Sequence, residues 1–217
     1  MKYELVIFDL DGTLLDTLDD LAAACNFALR QAGFPERTRE QVRLSIGNGV
    51  ANLMRRSAPE GTSEETQAKL LSDFRARYAG HVNDLTRPYP GITALLYALR
   101  EAGVRTAVNS NKPDAATQAL CKAHFEGCLD AVMGEQADVP RKPSPEGAHR
   151  LMAMLKAAPE RTLYVGDSDT DLMTARNAGI DAAWVSWGYR GRGELGDVAV
   201  AHAFDSADAL ERFILEE

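Results

Sequence analysis

Short apolar runs alternate with segments of helical periodicity along most of the chain. The run Leu5–Phe8 is wholly apolar and predicts a buried strand that ends at a polar loop. Between the strand-like runs, apolar side chains recur every three or four residues, as in the segment from Ile92 to Leu99, which Gly103 closes. This alternation predicts a parallel sheet with helices on both faces. The other strand-like runs are 104–108, 129–133, 162–165 and 182–185.

Residues 16–86 do not follow this alternation, and we find no convincing strand pattern among them. Helical spacing covers three stretches there: 18–32, 38–57 with a break at Ile46-Gly47-Asn48-Gly49, and about 63–79. We therefore predict an α/β fold. Its core is a Rossmann-like, doubly wound parallel sheet formed by residues 1–15 and 87–217, and a small α-helical domain of residues 16–86 is inserted into it.

The composition is that of an ordinary globular protein, with 45% hydrophobic and 26% charged residues among 217. No apolar run approaches the ~20 residues that a membrane-spanning helix needs, and the first residues lack the layout of a signal peptide. Cys25, Cys121 and Cys128 are scattered, so we expect free thiols in a reducing compartment. A cytoplasmic protein without a membrane partner is expected.

The formal net charge is −8. This charge argues against non-specific binding to nucleic acid or to an anionic membrane. If the substrate is itself an anion, some part of the chain must supply positive charge close to it.

Four polar loops follow predicted strands or precede predicted helices. In an open parallel sheet, ligands bind beyond the carboxyl ends of the strands, so we expect these loops to meet there. The loops contain Asp9 and Asp11; Ser110, Asn111 and Lys112; Arg141, Lys142 and Pro143; and Asp167, Asp169 and Asp171.

The carboxylates indicate a metal site. Asp9, Asp11 and Asp167 at one site would repel one another strongly unless a divalent cation lay among them. Magnesium prefers such hard oxygen ligands, whereas the lack of a suitably placed His or Cys disfavours zinc. We therefore expect Mg²⁺ as the cofactor.

The remaining loops suit an anion such as phosphate. Ser110 offers a hydroxyl group, and the backbone N–H groups of Asn111 and Lys112 precede a helix N-terminus. Lys142 adds a cation, which together with magnesium would supply the local positive charge.

The spacing Asp9-x-Asp11 also has a chemical use. Residues i and i+2 at an extended strand end point to the same side, so the two carboxylates can act as nucleophile and general acid/base on one substrate. Gly12 permits the tight turn that follows. Each element alone is also typical of a plain turn or helix start, and it is their joint occurrence that favours phosphate chemistry.

These residues resemble the haloacid dehalogenase superfamily over essentially the whole chain. Asp9 to Thr17 is similar to its first motif, Ser110 to its second, Lys142 to its third and Gly166 to Asp171 to its fourth. The helical insert resembles the small α-helical cap of this superfamily.

The resemblance implies a role for each motif residue. Asp9 would attack phosphorus and become an aspartyl-phosphate, while Asp11 would protonate the leaving alcohol and later deprotonate the attacking water. Ser110 and Lys142 would hold the phosphoryl group. Asp9 and Asp167 would ligate magnesium through their side chains and Asp11 through its backbone carbonyl, with Asp171 as an auxiliary carboxylate near the metal or Lys142.

Within the superfamily, the chain most resembles phosphoglycolate phosphatases. Three segments carry this likeness: Ile46-Gly47-Asn48-Gly49, Pro88-Tyr89-Pro90-Gly91 and Trp187-Gly188-Tyr189-Arg190. It implies a small phosphorylated metabolite as substrate, above all 2-phosphoglycolate, with Gly12, Gly47, Asn48 and Asn111 as further binding residues. A phosphatase for sugar phosphates, nucleotides or pyrophosphate, and a phosphomutase resembling β-phosphoglucomutase, remain alternatives. The expected assembly is a monomer or a homodimer.

Overall fold

The computed structural model describes residues 2–47 and 49–216. The chain forms two compact units. One comprises Met1–Asp16 and Pro88–Glu217, and the other comprises Thr17–Arg87. Each unit has its own hydrophobic interior.

Eight strands and nine α-helices occur in the described part of the chain, numbered here in chain order. The strands are β1 (Leu5–Phe8), β2 (Leu15–Asp16), β3 (Arg87–Pro88), β4 (Arg105–Pro113), β5 (Ala131–Glu135), β6 (Thr162–Gly166), β7 (Asp181–Val185) and β8 (His202–Phe204). The helices are α1 (Leu18–Gln31), α2 (Arg39–Ser45), α3 (Val50–Ser57), α4 (Glu64–Gly80), α5 (Ile92–Glu101), α6 (Asp114–Phe125), α7 (Glu146–Leu155), α8 (Asp169–Ala178) and α9 (Ala207–Glu216).

Six of the strands form one parallel sheet in the order β5-β4-β1-β6-β7-β8. Strand β1 is central: Phe8 lies opposite Val108 of β4 and Val165 of β6. The chain builds the sheet first on the β4 side of β1 and then on the β6 side. The reversal places the binding crevice of such a sheet at the carboxyl ends of β1, β4 and β6.

The core explains why β1 consists only of apolar residues. All four of its side chains are fully buried, because helices cover the sheet on both faces. On one face, Leu5 and Ile7 join a cluster with Leu151 of α7 and Ala175 of α8. The parallel sheet, its flanking helices and the helical insert confirm the predicted fold class.

Two features of the sheet differ from the prediction. Strand β4 does not end at Val108 but continues to Pro113, with a register irregularity after Asn109 that lets polar residues extend the strand. Strand β8 was not predicted. It pairs only with β7 at the sheet edge, where a strand of half-exposed residues needs no apolar pattern.

The Thr17–Arg87 unit is helical, and α1 packs against α4. Its helix starts follow ordinary capping rules: the Thr38 hydroxyl accepts from the Gln41 N–H, and the Ser63 hydroxyl from the Thr66 N–H. The buried Asp20 carboxylate accepts hydrogen bonds from the backbone N–H groups of Leu85 and Thr86, which ties the end of the unit to its first helix. Across the described residues, no helix is both long enough and apolar enough to span a membrane.

Candidate active site

The four polar loops of the sheet unit converge at the carboxyl ends of β1, β4 and β6. Asp9 follows β1 directly, Ser110 and Asn111 lie within the extended end of β4, and Asp167 follows β6. Lys142 comes from the loop between β5 and α7. The sheet order brings these residues together because the three strands are neighbours and parallel.

Lys142 is the central cation of this site. Its Nζ atom lies 2.7 Å from Oδ1 of Asp9 and 2.7 Å from Oδ1 of Asp171. The lysine side chain is only 5% exposed. Burial disfavours its charged form, but Asp171 and Asp9 outweigh this effect and raise the pKa of Lys142 well above its usual value. The ammonium therefore remains charged inside the protein.

Burial and neighbouring carboxylates disfavour the ionised forms of Asp9 and Asp167. Burial raises the pKa of Asp9 well above its usual value, and the charges of Asp171 and Asp167 add to this effect while Lys142 opposes it. Burial, with Asp171 second, also raises the pKa of Asp167 to about 7. Further positive charge at this point would favour the ionised forms of both groups.

The arrangement fits a divalent cation. Asp9, Asp167 and Asp171 are buried, and each offers a carboxylate oxygen within 4.8 Å of the others, so they could share one metal ion. The ionisable groups of the site are four carboxylates and two lysines, namely Asp9, Asp11, Asp167, Asp171, Lys112 and Lys142. When all six are ionised, their net charge is −2, which one divalent cation neutralises. An all-oxygen donor set suits magnesium better than zinc. Asp171 is at the same time bound by Lys142 and by Ser168, and its auxiliary role at the metal stays a prediction.

Ser110 and Asn111 have distinct contacts. The Ser110 hydroxyl oxygen accepts a hydrogen bond from the Lys112 N–H at 3.2 Å, so its own proton can still be donated to an anion. The Asn111 side chain binds the backbone of Lys142 twice: its amide donates to the Lys142 carbonyl at 3.1 Å, and its carbonyl accepts from the Lys142 N–H at 2.8 Å. Asn111 therefore ties the lysine loop to β4.

Lys112 forms a further ion pair of the site, with Asp11. Its Nζ lies 2.8 Å from Oδ1 and 3.1 Å from Oδ2 of Asp11. The sequence indicated only its backbone N–H as a contact, whereas the side chain crosses from β4 to the loop after β1. Nothing in the local pattern distinguishes this lysine from a surface lysine, because its partner is 101 positions away.

Asp167 is fixed from several sides. Its Oδ2 accepts from the Tyr189 N–H at 2.6 Å, and its backbone carbonyl accepts from the Trp184 indole at 2.9 Å. A Cβ atom on Gly12 would lie 2.6 Å from Asp167 Oδ2, and one on Gly188 would lie 2.3 Å from Asp167 Cβ. Gly12 also has a φ of +89°. These two positions therefore require glycine.

Two glycines, Gly12 and Gly47, were also predicted to bind the substrate or its phosphate. The Gly12 N–H donates to the carbonyl of Leu15 at 2.9 Å, so it closes the loop turn, and its contact with phosphate stays a prediction. Gly47 lies in the helical unit between α2 and α3 with a φ of +128°. The predicted contact Asn48 lies outside the described residues.

The structure also adds positioning residues that the sequence did not indicate, namely Gly188 and Tyr189. They belong to the segment Trp187-Gly188-Tyr189-Arg190, which stood out only through a family resemblance. The Trp187 indole donates to the Thr13 carbonyl at 3.0 Å, so this segment braces the first loop as well as Asp167.

Comparison with known proteins agrees with this geometry. The family profile of haloacid dehalogenase-like hydrolases matches residues 6–185. A phosphoglycolate phosphatase from Aquifex aeolicus (strain VF5) is 30% identical over 213 residues, covering 97% of this chain and 98% of that protein. A phosphoglycolate phosphatase from Vibrio vulnificus (strain YJ016) is 36% identical over 199 residues, covering 87% of this chain and 86% of that protein.

A solved structure from Lactobacillus delbrueckii subsp. bulgaricus ATCC BAA-365, provisionally assigned as a phosphoglycolate phosphatase, has a TM-score of 0.93 and 34% identity. The match covers 100% of both chains. These similarities confirm the prediction of an enzyme of the haloacid dehalogenase superfamily. The chain therefore belongs to the haloacid dehalogenase-like hydrolase family and, within it, is similar to phosphoglycolate phosphatases.

Proposed function

We propose that this enzyme is a magnesium-dependent phosphatase that hydrolyses 2-phosphoglycolate, or a closely similar small phosphate ester, to the alcohol and phosphate. The observation that carries the proposal is the placement of Lys142 between Asp9 and Asp171, with Asp167 close to both. This cluster combines a carboxylate nucleophile, a fixed cation and a set of oxygen ligands, which are the parts that phosphoryl transfer needs.

The first half of the reaction transfers the phosphoryl group to the protein. A carboxylate oxygen of Asp9 forms a bond to phosphorus as the ester P–O bond breaks, and Asp11 gives its proton to the departing alcohol oxygen. Lys142 and the Ser110 hydroxyl bind the phosphoryl oxygens in this step. Asn111 acts through Lys142, whose backbone it holds in place.

The second half returns the enzyme to its starting state. The Asp11 carboxylate takes a proton from a water molecule, and the water oxygen bonds to phosphorus as the Asp9–phosphorus bond breaks. Phosphate leaves, and both carboxyl groups regain their initial protonation. Two carboxylates on one loop thus perform both halves.

Asp9 and Asp167 would bind the magnesium ion through their side chains, Asp11 through its backbone carbonyl, and Asp171 would act as an auxiliary carboxylate. A bound magnesium ion would neutralise charge that develops on the phosphoryl oxygens. The buried carboxylates support this assignment, because they are costly to keep ionised without such a cation.

The substrate class rests on similarity and on the helical unit. Two of the proteins to which the chain is similar are named phosphoglycolate phosphatases and are 30% and 36% identical to it. We propose that the insert, predicted as residues 16–86, is the cap domain and selects the substrate. The two positive-φ glycines Gly47 and Gly49 support an approach of bare backbone to a small carboxylate-bearing ester.

The buried free thiols of the three cysteines support a cytoplasmic location.

A phosphate-release screen tests this proposal. The purified protein is assayed with magnesium or with EDTA against 2-phosphoglycolate, sugar phosphates, nucleotides and pyrophosphate, and the substrates are ranked by kcat/KM. Magnesium-dependent release that is highest for 2-phosphoglycolate is expected. Turnover of a sugar phosphate to its isomer without phosphate release would instead indicate a phosphomutase, and no magnesium-dependent turnover on any ester would contradict the enzyme assignment.

A further inference from the structure

We propose that Lys112 is a positioning residue for the acid step, which it serves by holding the Asp11 carboxyl group toward the leaving oxygen. The inference rests on the proposed function, since it assigns Lys112 to the same reaction. It concerns the side chain of Lys112, which none of the four motif positions includes.

The geometry of the pair is that of a built contact. The ammonium touches both oxygens of Asp11, at 2.8 and 3.1 Å. The Lys112 side chain is 2% exposed, whereas that of Asp11 is 20% exposed. The lysine therefore occupies the covered side of the carboxyl group and leaves its accessible side for other contacts.

A buried ammonium at this place has a cost that packing alone does not explain. Charged side chains are rarely fully buried unless they are paired, and an apolar residue of similar length would fill the same space without losing hydration. Thr117 and Cys121 of α6 are also buried beside this end of β4, so an apolar side chain would be compatible with the neighbourhood. The ion pair with Asp11 is a contact that an apolar side chain could not make.

The pair would act on the acid step by fixing the orientation of Asp11. An aspartate has several side-chain rotamers, and contact with both oxygens selects one of them. Through its backbone N–H, Lys112 also orients the Ser110 hydroxyl, a contact that side-chain substitution leaves in place.

The choice of leaving group tests this role. Lys112→Met removes the ammonium at similar length, and Lys112→Gln keeps N–H donors without the charge. The control is Lys122→Met, because Lys122 is exposed and lies on α6, the helix that follows β4. Each variant is assayed by kcat/KM on 2-phosphoglycolate, whose alkoxide needs a proton to leave, and on p-nitrophenyl phosphate, whose phenolate does not.

We expect Lys112→Met to lower kcat/KM for 2-phosphoglycolate by about 10- to 100-fold, and for p-nitrophenyl phosphate by less than about threefold. Lys112→Gln should fall between wild type and Lys112→Met on 2-phosphoglycolate. In a double-mutant cycle, Asp11→Asn combined with Lys112→Met should lose no more activity than Asp11→Asn alone, because both changes remove one function.

Equal losses on both esters, no loss on 2-phosphoglycolate, or additive losses in the cycle would each overturn the inference while leaving the proposed function intact. If Lys112→Met does not fold, the same comparison is made with Lys112→Gln, and the cycle is run with that variant. A wild-type protein that hydrolyses neither ester with magnesium would instead contradict the proposed function itself.

Discussion

The Lys142 ammonium lies 2.7 Å from Oδ1 of Asp9, and both side chains are almost fully shielded from water. The contact joins the first loop of the sheet to the loop after β5. Burial raises the pKa of Asp9, and the charge of Lys142 opposes this shift. The lysine therefore favours the ionised carboxylate that a nucleophile requires. The same ammonium would then bind the group that Asp9 attacks.

Asp9→Asn is expected to abolish turnover without weakening the fold. An amide cannot attack phosphorus, so kcat should fall by at least about 10³-fold. The change also removes one negative charge from a crowded buried cluster, so the free energy of unfolding without metal should be unchanged or higher. Phosphate release and thermal unfolding of the same preparations test both points. The exposed Asp197→Asn serves as the control and should match wild type in both.

Gly188→Ala is expected to weaken magnesium binding. The added methyl group would lie 2.3 Å from Asp167 Cβ and 2.3 Å from the Gly12 carbonyl oxygen, so the proposed ligand Asp167 must shift. Isothermal titration with magnesium measures the effect directly, without relying on activity. Gly193→Ala in the same region meets nothing within 4 Å and is the matched control. Magnesium affinity that is equal in the two variants would contradict the role of Gly188.

The stabilising effect of magnesium is expected to increase with pH. The pKa of Asp167 is raised from 3.8 to about 7 in the folded, metal-free protein. Below about pH 4 both folded and unfolded states keep this proton, and its contribution to stability is complete. As the pH rises toward 7, the unfolded state loses the proton first, so stability without metal falls. Magnesium binds the ionised form and should restore it.

Thermal unfolding with magnesium and with EDTA, at about pH 5 and about pH 8, measures this linkage. The shift in Tm caused by magnesium should be small at the lower pH and large at the higher one. Sodium chloride at matched ionic strength controls for general screening. An equal shift at both values would show that the raised pKa of Asp167 is not linked to metal binding.

Asn111→Ala is expected to lower activity through the Lys142 loop. The change removes two hydrogen bonds to the Lys142 backbone and should cost about 1–3 kcal/mol of unfolding free energy. Asn26→Ala is the matched control, because Asn26 makes the same pair of bonds to the backbone of Arg37 in the helical unit. Similar losses of stability but a much larger loss of kcat for Asn111→Ala would separate positioning from general destabilisation. Equal losses of kcat in Asn111→Ala and Asn26→Ala would contradict the positioning role of Asn111.

The sequence predicted those parts of the molecule whose causes are local. Strand β1 could be predicted because buried parallel strands need continuous apolar residues. The loop from Asp9 to Thr13 could be predicted because its residue types have a recognised chemical use. The helical spacing after Gly49 likewise predicted α3. These features depend on neighbours in the chain.

The parts that were missed depend on contacts between distant segments. The end of β4 is polar, and its strand conformation follows from pairing with β5. The Asp11–Lys112 pair requires β1 and β4 to be adjacent and in register, and no pattern around Lys112 indicates this. The same is true of Gly188, whose need to be glycine becomes visible only when Asp167 lies against it.

Identifying the phosphorylated residue tests directly whether Asp9 is the nucleophile. Asp11→Asn enzyme, which lacks the base for hydrolysis, is mixed with magnesium and p-nitrophenyl phosphate, whose phenolate leaves without a proton from Asp11. The mixture is quenched, reduced with borohydride and analysed by peptide mass spectrometry. We expect residue 9 to be converted to homoserine, the product of reducing an aspartyl-phosphate. Reduction at another residue, or phosphate release by the wild-type enzyme with no acyl-phosphate trapped at residue 9 in either protein, would contradict it.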